Sequence, residues 1–510
     1  MKQAVVIIHG MGEQIPMETL QGFVDTVWVK DDGLIDRKRP DSATGGPRSE
    51  NTVWSKPDRR NRSFELRRMT TEAIDGAHGS TDFFEFYWAH LIYGTTWEQV
   101  KAWSFDLLWR RPSRVPPRVR GAWILLWVIT IVVALCVVAA LVPFATLRSC
   151  IFNHCVVPST DKTSFFWLVT MPIIVGVAGI IGGGLVNTYL LKYFGDVARY
   201  VKAAPLNVAR RQEIREKGVE LLETLMARDA DGKRQYDRIV VVAHSLGTIV
   251  AYDILTHCFA RLNTISDLHA KVLKSFQQPE RAKLEDMIRR AAGLADGPAG
   301  GGQGGAKEPP VPYSVEDFQK QQALCLKEIN EQGSPWIVSD FITLGSPLSH
   351  AEFLLAADMD ELRKAQQRRL LPTCPPSLEY DGKTKLRHFT YRYDEATATD
   401  PLAYRIPHHA ALFAYTRWTN LHSPHSAILW GDIISGPLAS QFNLSIEDRD
   451  VNGIADLAVL PERDSLGKVV NGKRVPFFSH TKYWTFKFTP KEAAPHHIKI
   501  LRNALRLKDR

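Results

Sequence analysis

Residues 238–255, RIVVVAHSLGTIVAYDIL, contain the pattern that decides the fold prediction. Ile239 to Ala243 form an apolar, mostly β-branched run, which predicts a buried strand. The next four residues, HSLG, predict a tight turn, and apolar residues then recur at helical spacing from Thr248 to Leu255. A strand, a sharp turn with a serine at its tip and a helix make up a nucleophile elbow. Ser245 is therefore the candidate nucleophile.

The pattern Gly-x-Ser-x-Gly departs at its first position, where Ala243 replaces glycine. Small residues are needed on both sides of the serine because the strained turn brings the strand and helix backbones close together. Ala243 adds one methyl group to that contact, whereas Gly247 leaves the other side bare. The alternative is an ordinary strand–helix turn whose serine caps the helix. The rest of the chain has to decide between these two interpretations.

Length, composition and charge narrow the class of protein. The 510 residues are enough for one large catalytic domain with insertions or for two to three domains. The net charge is +9, but the basic residues are scattered and concentrate only beside an apolar segment, so we predict no nucleic-acid partner. Six cysteines are too few for a disulfide scaffold, and no Cys/His zinc spacing occurs.

Two apolar runs predict a transmembrane helical hairpin. Residues 122–147 and 165–191 carry no charge, and each run is long enough to span a bilayer. Cations are frequent in the flanks 101–120 and 192–211, whereas the connecting loop has only Arg148 and Lys162. The positive-inside rule then places both termini and the catalytic domain in the cytoplasm, at the inner membrane if the protein is bacterial. Two cysteines of the outer loop would be able to pair in an oxidising compartment: Cys150 and Cys155.

The remaining organisation is predicted as one domain interrupted by this hairpin. The fold class is α/β, with a mostly parallel sheet and helices on both faces, because strands alternate with helices. The parts are an N-terminal portion (1–120) with a polar loop or flap (31–62), the hairpin (121–191), and a main portion (192–510) with a Gly-rich linker (about 295–312) and a basic C-terminal helix from near Pro490. The strands are predicted at 4–8, 81–89, 239–243, 336–344, 388–393 and 417–421.

A catalytic serine needs a base, a carboxylate that orients the base, and donors for the oxyanion. His480 is the candidate base because it lies late in the chain, in the loop segment PFFSHTKYW at 476–484. Six other histidines are alternative candidates for the base: His408, His409, His422, His425, His496 and His497. The first four offer an alternative metal site, but no tight ligand spacing supports one, and we predict no metal.

The acid is Asp432, in the segment WGDIISG at 430–436, shortly after a predicted strand. It gives the chain order Ser, Asp, His, which is that of one family of serine hydrolases. Four other aspartates compete with Asp432 for this role. Each of the five has an alternative interpretation as a solvated turn residue, which is what most loop aspartates are. These competitors are Asp394, Asp400, Asp450 and Asp456.

Four segments taken together resemble serine lipases and esterases of the α/β-hydrolase superfamily. They are VVIIHGMG at 5–12, VVVAHSLGT at 240–248, ITLGSPLSH at 342–350 and SHTKYW at 479–484. The likeness covers the strand-forming parts of residues 1–30 and 230–485, and it is nearer to the branch that acts at membranes. It does not cover the hairpin, the linker or the C-terminal helix.

The resemblance implies an α/β-hydrolase fold with the inserted hairpin and a Ser245–His480–Asp432 triad. It implies that the Met11 and Leu246 N–H groups form the oxyanion hole, and that Ser346 is structural. The supporting loop residues are His9, Gly10, Gly12, His244 and Gly247. The expected activity is hydrolysis of carboxylic esters, as in a lipase, phospholipase or esterase. Membrane lipids are expected both as the substrate and as the environment of the protein. No cofactor is expected. Two alternatives stay open: a catalytically inactive membrane scaffold, and an acyltransferase or thioesterase using the same triad.

Overall fold

The computed structural model describes most of the chain outside the apolar runs. The described residues are 2–11, 15–41, 44–58, 60, 65–73, 79–91, 109, 111–112, 115, 120, 123–124, 127–128, 130–131, 200–201, 205–263, 276–294, 309–393, 399–425, 431–446, 449–459, 479–485 and 494–508.

Fourteen strands occur within the described ranges. They are β1 Gln3–Ile8, β2 Val53–Pro57, β3 Arg67–Thr71, β4 Thr81–Phe86, β5 Arg238–His244, β6 Val338–Leu344, β7 Glu379–Asp381, β8 Leu386–His388, β9 Thr390–Arg392, β10 Arg405–Pro407, β11 Arg417–His422, β12 Leu444–Ile446, β13 Arg449–Val451 and β14 Ala455–Ala458. The α-helices are α1 Glu18–Val24, α2 Pro205–Met226, α3 Gly247–Leu262, α4 Pro279–Ala291, α5 Val315–Glu331, α6 Ala351–Leu354, α7 Met359–Gln367, α8 Ala439–Phe442 and α9 His496–Leu505.

One large sheet organises these elements. Eight strands form it in the order β14-β11-β6-β5-β1-β4-β3-β2. The six strands from β14 to β4 run parallel to one another, and β3 and β2 continue the sheet antiparallel at one edge. The predicted α/β class with a mostly parallel sheet is therefore confirmed. The carboxyl ends of the six parallel strands lie along the same edge, where ligand and catalytic groups usually gather in such sheets.

Helices cover the sheet on both faces because the strands are apolar on both faces. On one face, alternate residues of β1 and β5 such as Val5 and Val240 form a buried cluster with α1 and α9. On the other face, Trp418 of β11 packs against Tyr252 of α3, with ring centroids 5.7 Å apart. Helix α3, which begins directly after the predicted elbow, is thus fixed to the sheet by its buried side.

Several sequence predictions need correction in their bounds. In place of one strand at 388–393, the structure has the end of β8 and the short strand β9, both outside the large sheet. Residues 31–62 are not all loop, because Val53–Pro57 form β2, a strand mostly exposed on both faces. Such a strand has no apolar alternation by which the sequence would reveal it. The strand predicted at 81–89 ends at Phe86, and the C-terminal helix begins at His496 rather than near Pro490.

The chain divides into two compact units, one made of Met1–Leu91 with Val208–Arg510 and the other of Ile92–Asn207. The sheet lies in the first unit. In the second, the Trp109 and Trp123 rings lie 6.0 and 6.2 Å from the Trp127 ring. The predicted membrane runs lie outside the described residues, apart from a few positions near the start of the first, and so does linker segment 295–308. Within the described part of the chain, no helix has the length and apolar character needed to cross a membrane.

Candidate active site

The predicted elbow has the expected local structure. β5 ends at His244 and α3 begins at Gly247, so Ser245 lies in the turn between a central strand and a helix. Its φ is +53°, a left-handed backbone conformation that is strained for a residue with a side chain. The alternative interpretation, in which the serine side chain caps the helix, is not supported, because Leu246 holds the N-cap position and the Ser245 hydroxyl bonds His480 instead.

Two glycines, Gly247 at the start of α3 and Gly10 in the loop after β1, allow the close packing that the elbow needs. A Cβ atom on Gly247 would lie 2.7 Å from the carbonyl oxygen of Ile8 and closer still to that of His9. A Cβ on Gly10 would lie 2.9 Å from the Cβ of Ser245. The loop that follows β1 therefore lies directly against the serine. Ala243, where the sequence departs from the family pattern, is fully buried in β5, so its extra methyl group is accommodated.

Ser245, His480 and Asp432 form one hydrogen-bonded chain. The Oγ of Ser245 lies 2.8 Å from Nε2 of His480, and Nδ1 of His480 lies 3.0 and 3.1 Å from the two carboxylate oxygens of Asp432. The carboxylate is acceptor-only, so Nδ1 carries the proton and Nε2 is free to accept the serine O–H. All three side chains are buried, with 1–2 % exposed. This is the geometry in which an imidazole removes a proton from a hydroxyl.

Asp432 stays ionised because its neighbours compensate for its burial. Burial alone would raise the pKa of its carboxyl, but the electrostatic interaction with His480 and hydrogen bonds from His480 and Tyr483 lower the pKa to about 2. Tyr483 donates its hydroxyl to Oδ2 at 2.8 Å, and the Ile434 N–H donates to Oδ1 at 3.0 Å. No role for Tyr483 was predicted from the sequence. Its only sequence signal is its place three residues after the candidate base.

Gly345 makes room beneath the His–Asp pair. It follows β6 directly and has φ +60°. A Cβ at this position would lie 2.7 Å from the Tyr483 ring and 3.2 Å from both Asp432 Oδ2 and His480 Nδ1. The carboxyl end of β6 thus forms the floor of the site, and a larger residue there would displace the base. Gly345 belongs to the segment ITLGSPLSH at 342–350, but no function was predicted for it from the sequence.

His9 fixes the loop that follows β1. Its Nε2 accepts a hydrogen bond from the backbone N–H of Trp88 at 3.1 Å, so its Nδ1–H donates to the carbonyl of Gly10 at 2.8 Å. The His9 ring also stacks on the Trp88 ring, with centroids 5.1 Å apart. Burial lowers the pKa of His9 to about 4, so the imidazole is neutral near pH 7. His9 therefore joins the loop to the chain just after β4.

Glu85 holds the other end of the same loop. Its Oε2 accepts the backbone N–H of Met17 at 2.7 Å, and Met17 precedes α1 with φ +71°. Oε1 of Glu85 is buried without a hydrogen-bond partner. Burial raises the pKa of this carboxyl to about 7. Strand β4 and the residues just after it therefore contact both ends of the segment 9–17.

The oxyanion role of the Met11 and Leu246 N–H groups stays a prediction. Leu246 directly precedes α3, so no carbonyl of an earlier helical turn is available to its N–H. Met11 is buried and follows Gly10 in the loop after β1. Gly12 lies outside the described residues. Ser346 has contacts that suit the expected structural role: its Oγ accepts the Leu348 N–H and lies 2.7 Å from Thr248 Oγ1.

The competing side chains have other partners. Asp456 accepts the backbone N–H groups of Leu438 and Ala439, and Asp400 accepts that of Leu402. Asp450 lies at an exposed site with an ion-pair distance of 3.7 Å to an arginine. Asp394 lies outside the described residues. Nε2 of His408 bonds the carbonyl of Ser377, and within the described ranges no three His, Cys, Asp or Glu side chains converge as metal ligands would.

A comparison of the chain with models of known protein families, with curated proteins and with solved structures gives no match. The function is therefore inferred from the residues of this chain alone.

Proposed function

We propose that this protein is a serine ester hydrolase with an α/β-hydrolase fold. The observation that carries the proposal is the chain of hydrogen bonds from Ser245 through His480 to Asp432. The strained backbone of Ser245 and its place between a central parallel strand and a helix support the same conclusion. A serine that merely satisfied a buried polar group would need neither feature.

The proposed reaction begins when Ser245 Oγ attacks the acyl carbonyl and His480 Nε2 takes the hydroxyl proton. Asp432 holds the imidazole in the required tautomer and stabilises its cationic form. Backbone N–H groups of Met11 and Leu246 stabilise the oxyanion of the tetrahedral intermediate. His480 then gives its proton to the departing alcohol. Water, deprotonated by the same imidazole, releases the acid and restores Ser245.

We further propose that the enzyme is held at a membrane and that its substrates are membrane lipids. Two long uncharged runs with cationic flanks support this, since cations beside a membrane attract anionic head groups. Near the start of the first run, three large apolar side chains at helical positions are about half exposed: Ile124, Val128 and Ile131. The catalytic unit would then lie on the cytoplasmic side.

The test is labelling of membrane fractions with a fluorophosphonate, which reacts covalently with activated serines. Wild type should be labelled, and Ser245→Ala and His480→Ala should not. An unlabelled but folded wild type would reject the hydrolase and favour the inactive scaffold. Turnover of phospholipids, short esters and thioesters by the labelled enzyme would then separate a lipid hydrolase from a thioesterase or an acyltransferase.

A further inference from the structure

The residue directly before the candidate nucleophile makes a bond that the proposed triad does not require. Nε2 of His244 lies 2.8 Å from the backbone carbonyl oxygen of His480. Because a carbonyl can only accept, the imidazole donates its Nε2–H. His244 belongs to the end of β5, and His480 lies in the short helical turn Ser479–Thr481. This bond therefore joins the elbow to the loop that carries the base.

Other contacts fix the base loop to the acid instead. The Ser479 N–H donates to the carbonyl of Gly431 at 3.1 Å, and the Tyr483 hydroxyl donates to Asp432 at 2.8 Å. These bonds determine where His480 lies relative to Asp432. They do not fix the distance from His480 to Ser245, because neither reaches the elbow.

The imidazole of His244 is itself held in one orientation. Its ring meets Trp484 edge to face, with centroids 4.9 Å apart, and lies 5.1 Å from the ring of His480. On its other side, a Cβ on Gly10 would lie 3.1 Å from Nδ1, so the bare glycine backbone faces this nitrogen. Burial, followed by repulsion from His480, lowers the pKa of His244 to about 3. The ring is therefore neutral, and its single N–H points at the carbonyl throughout the neutral pH range.

We propose that His244 is a positioning residue that sets the distance between Ser245 and His480 by holding the backbone carbonyl of the base. This inference rests on the proposed function, because it assigns a role within the same site. The mechanical reason is that residues 244 and 245 are adjacent in the chain. A bond from His244 to residue 480 therefore ties the backbone of the base to the backbone of the nucleophile, independently of the Ser–His hydrogen bond.

Three variants separate the hydrogen bond from packing. His244→Phe keeps a ring against Trp484 but has no donor, and His244→Gln keeps an N–H donor without the ring. His408→Phe is the matched control, because buried His408 also bonds a backbone carbonyl through Nε2, at 3.0 Å, and has no recorded bond to the triad. The second-order rate of fluorophosphonate labelling is measured per folded molecule, together with the melting temperature.

We expect His244→Phe to slow labelling about tenfold or more, as loss of one orienting hydrogen bond in a reacting complex typically does. His244→Gln should return the rate to within about threefold of wild type, since its amide restores the donor. His408→Phe should lower the melting temperature without changing the labelling rate. If His244→Phe does not fold, His244→Met takes its place, because the flexible methionine side chain also lacks the N–H donor.

Equal rates for wild type and His244→Phe would overturn the inference while leaving the hydrolase proposal in place. Equally slow labelling of His244→Phe and His244→Gln would also overturn it, because the ring rather than the donor would then matter. A wild type that is folded but not labelled would instead reject the hydrolase proposal itself, and the inference with it.

Discussion

Two regions of the molecule contain a hydroxyl, an imidazole and a carboxylate in a hydrogen-bonded chain. The first is Ser245–His480–Asp432. In the second, Thr384 Oγ1 lies 2.8 Å from Nε2 of His388, and Nδ1 of His388 lies 2.7 Å from Glu285. The hydrogen-bond distances in the two side-chain triads are almost the same. Interatomic distance alone therefore does not identify a catalytic site.

The surroundings of the two hydroxyl groups differ. Ser245 lies at positive φ before a sixteen-residue helix, with the glycine loop after β1 against it. Thr384 lies in the hairpin turn between β7 and β8 and accepts a weak bond from the Leu386 N–H. Only the first hydroxyl is presented at a helix N-terminus, where a developing negative charge is stabilised.

The two carboxylates differ as well. Glu285 accepts hydrogen bonds from the Phe389 N–H and the Thr390 hydroxyl and forms an ion pair with Arg281 at 2.5 Å. Its charge is largely compensated by the guanidinium. Asp432 is hydrogen-bonded by a phenol and a backbone N–H, both neutral, besides the imidazole. Most of its charge therefore remains to stabilise a protonated His480.

The largest expected effect tests the hydroxyl groups. Ser245→Ala should lower ester hydrolysis by about 10⁴-fold or more, as removal of a triad nucleophile does. Thr384→Ala should leave both hydrolysis and fluorophosphonate labelling unchanged. Mass spectrometry of the labelled peptide checks the site directly. Covalent label on Thr384 would show that the second triad also activates its hydroxyl, contrary to this prediction.

Exchange of each acid for its amide comes next. Asp432→Asn should lower hydrolysis about 10³- to 10⁴-fold, because the amide favours the wrong imidazole tautomer. Glu285→Gln should instead destabilise the fold by about 3 kcal/mol, since it leaves the buried Arg281 without its counter-charge. Denaturant unfolding and activity per folded molecule measure the two effects. A large loss of activity in folded Glu285→Gln would contradict the assignment of Glu285 to a structural role.

The loop beside Ser245 gives a pH-dependent prediction. The pKa of Glu85 is about 7 in the folded protein and near 4.5 when unfolded, so the folded state holds the proton more tightly between these values. The free energy of unfolding should therefore fall by about 3 kcal/mol as pH rises through this window. Glu85→Gln should remove that slope between pH 5 and 8.

A surface glutamate supplies the control for this experiment. Hydrogen bonds from Lys283 and Gln321 lower the pKa of Glu280, so it is ionised above pH 5 in both states. Glu280→Gln should accordingly keep the wild-type slope. If Glu85→Gln kept it too, the buried carboxyl would not be the group that titrates.

The smallest effect concerns one hydroxyl next to each acid. Tyr483→Phe removes the bond to Asp432 and should slow hydrolysis about fivefold, equivalent to about 1 kcal/mol. Thr390→Val removes the corresponding bond to Glu285 and should change only stability. Steady-state kinetics with a short ester would measure both. Equal rates for Tyr483→Phe and wild type would show that the His480 contact alone orients Asp432.

Local patterns in the sequence were sufficient for the elbow and most of the large sheet. β1, β5, β6 and β11 and the turn at Ser245 were predicted from apolar runs and turn residues, which act over a few neighbours. Strands β2, β3 and β14 of this sheet were missed, and the mostly exposed residues of β2 lack that pattern. The strand at 81–89 was predicted too long, since periodicity indicates a strand better than its end.

The sequence by itself thus determined the class of fold, the candidate nucleophile and a short list of bases and acids. The tertiary structure decided which of them meet. His480 and Asp432 reach Ser245 because loops after separate parallel strands converge at one edge of the sheet, and strand order is a long-range property. The partners of His244 and Tyr483 were decided in the same way, because both bonds connect segments that are distant in the chain.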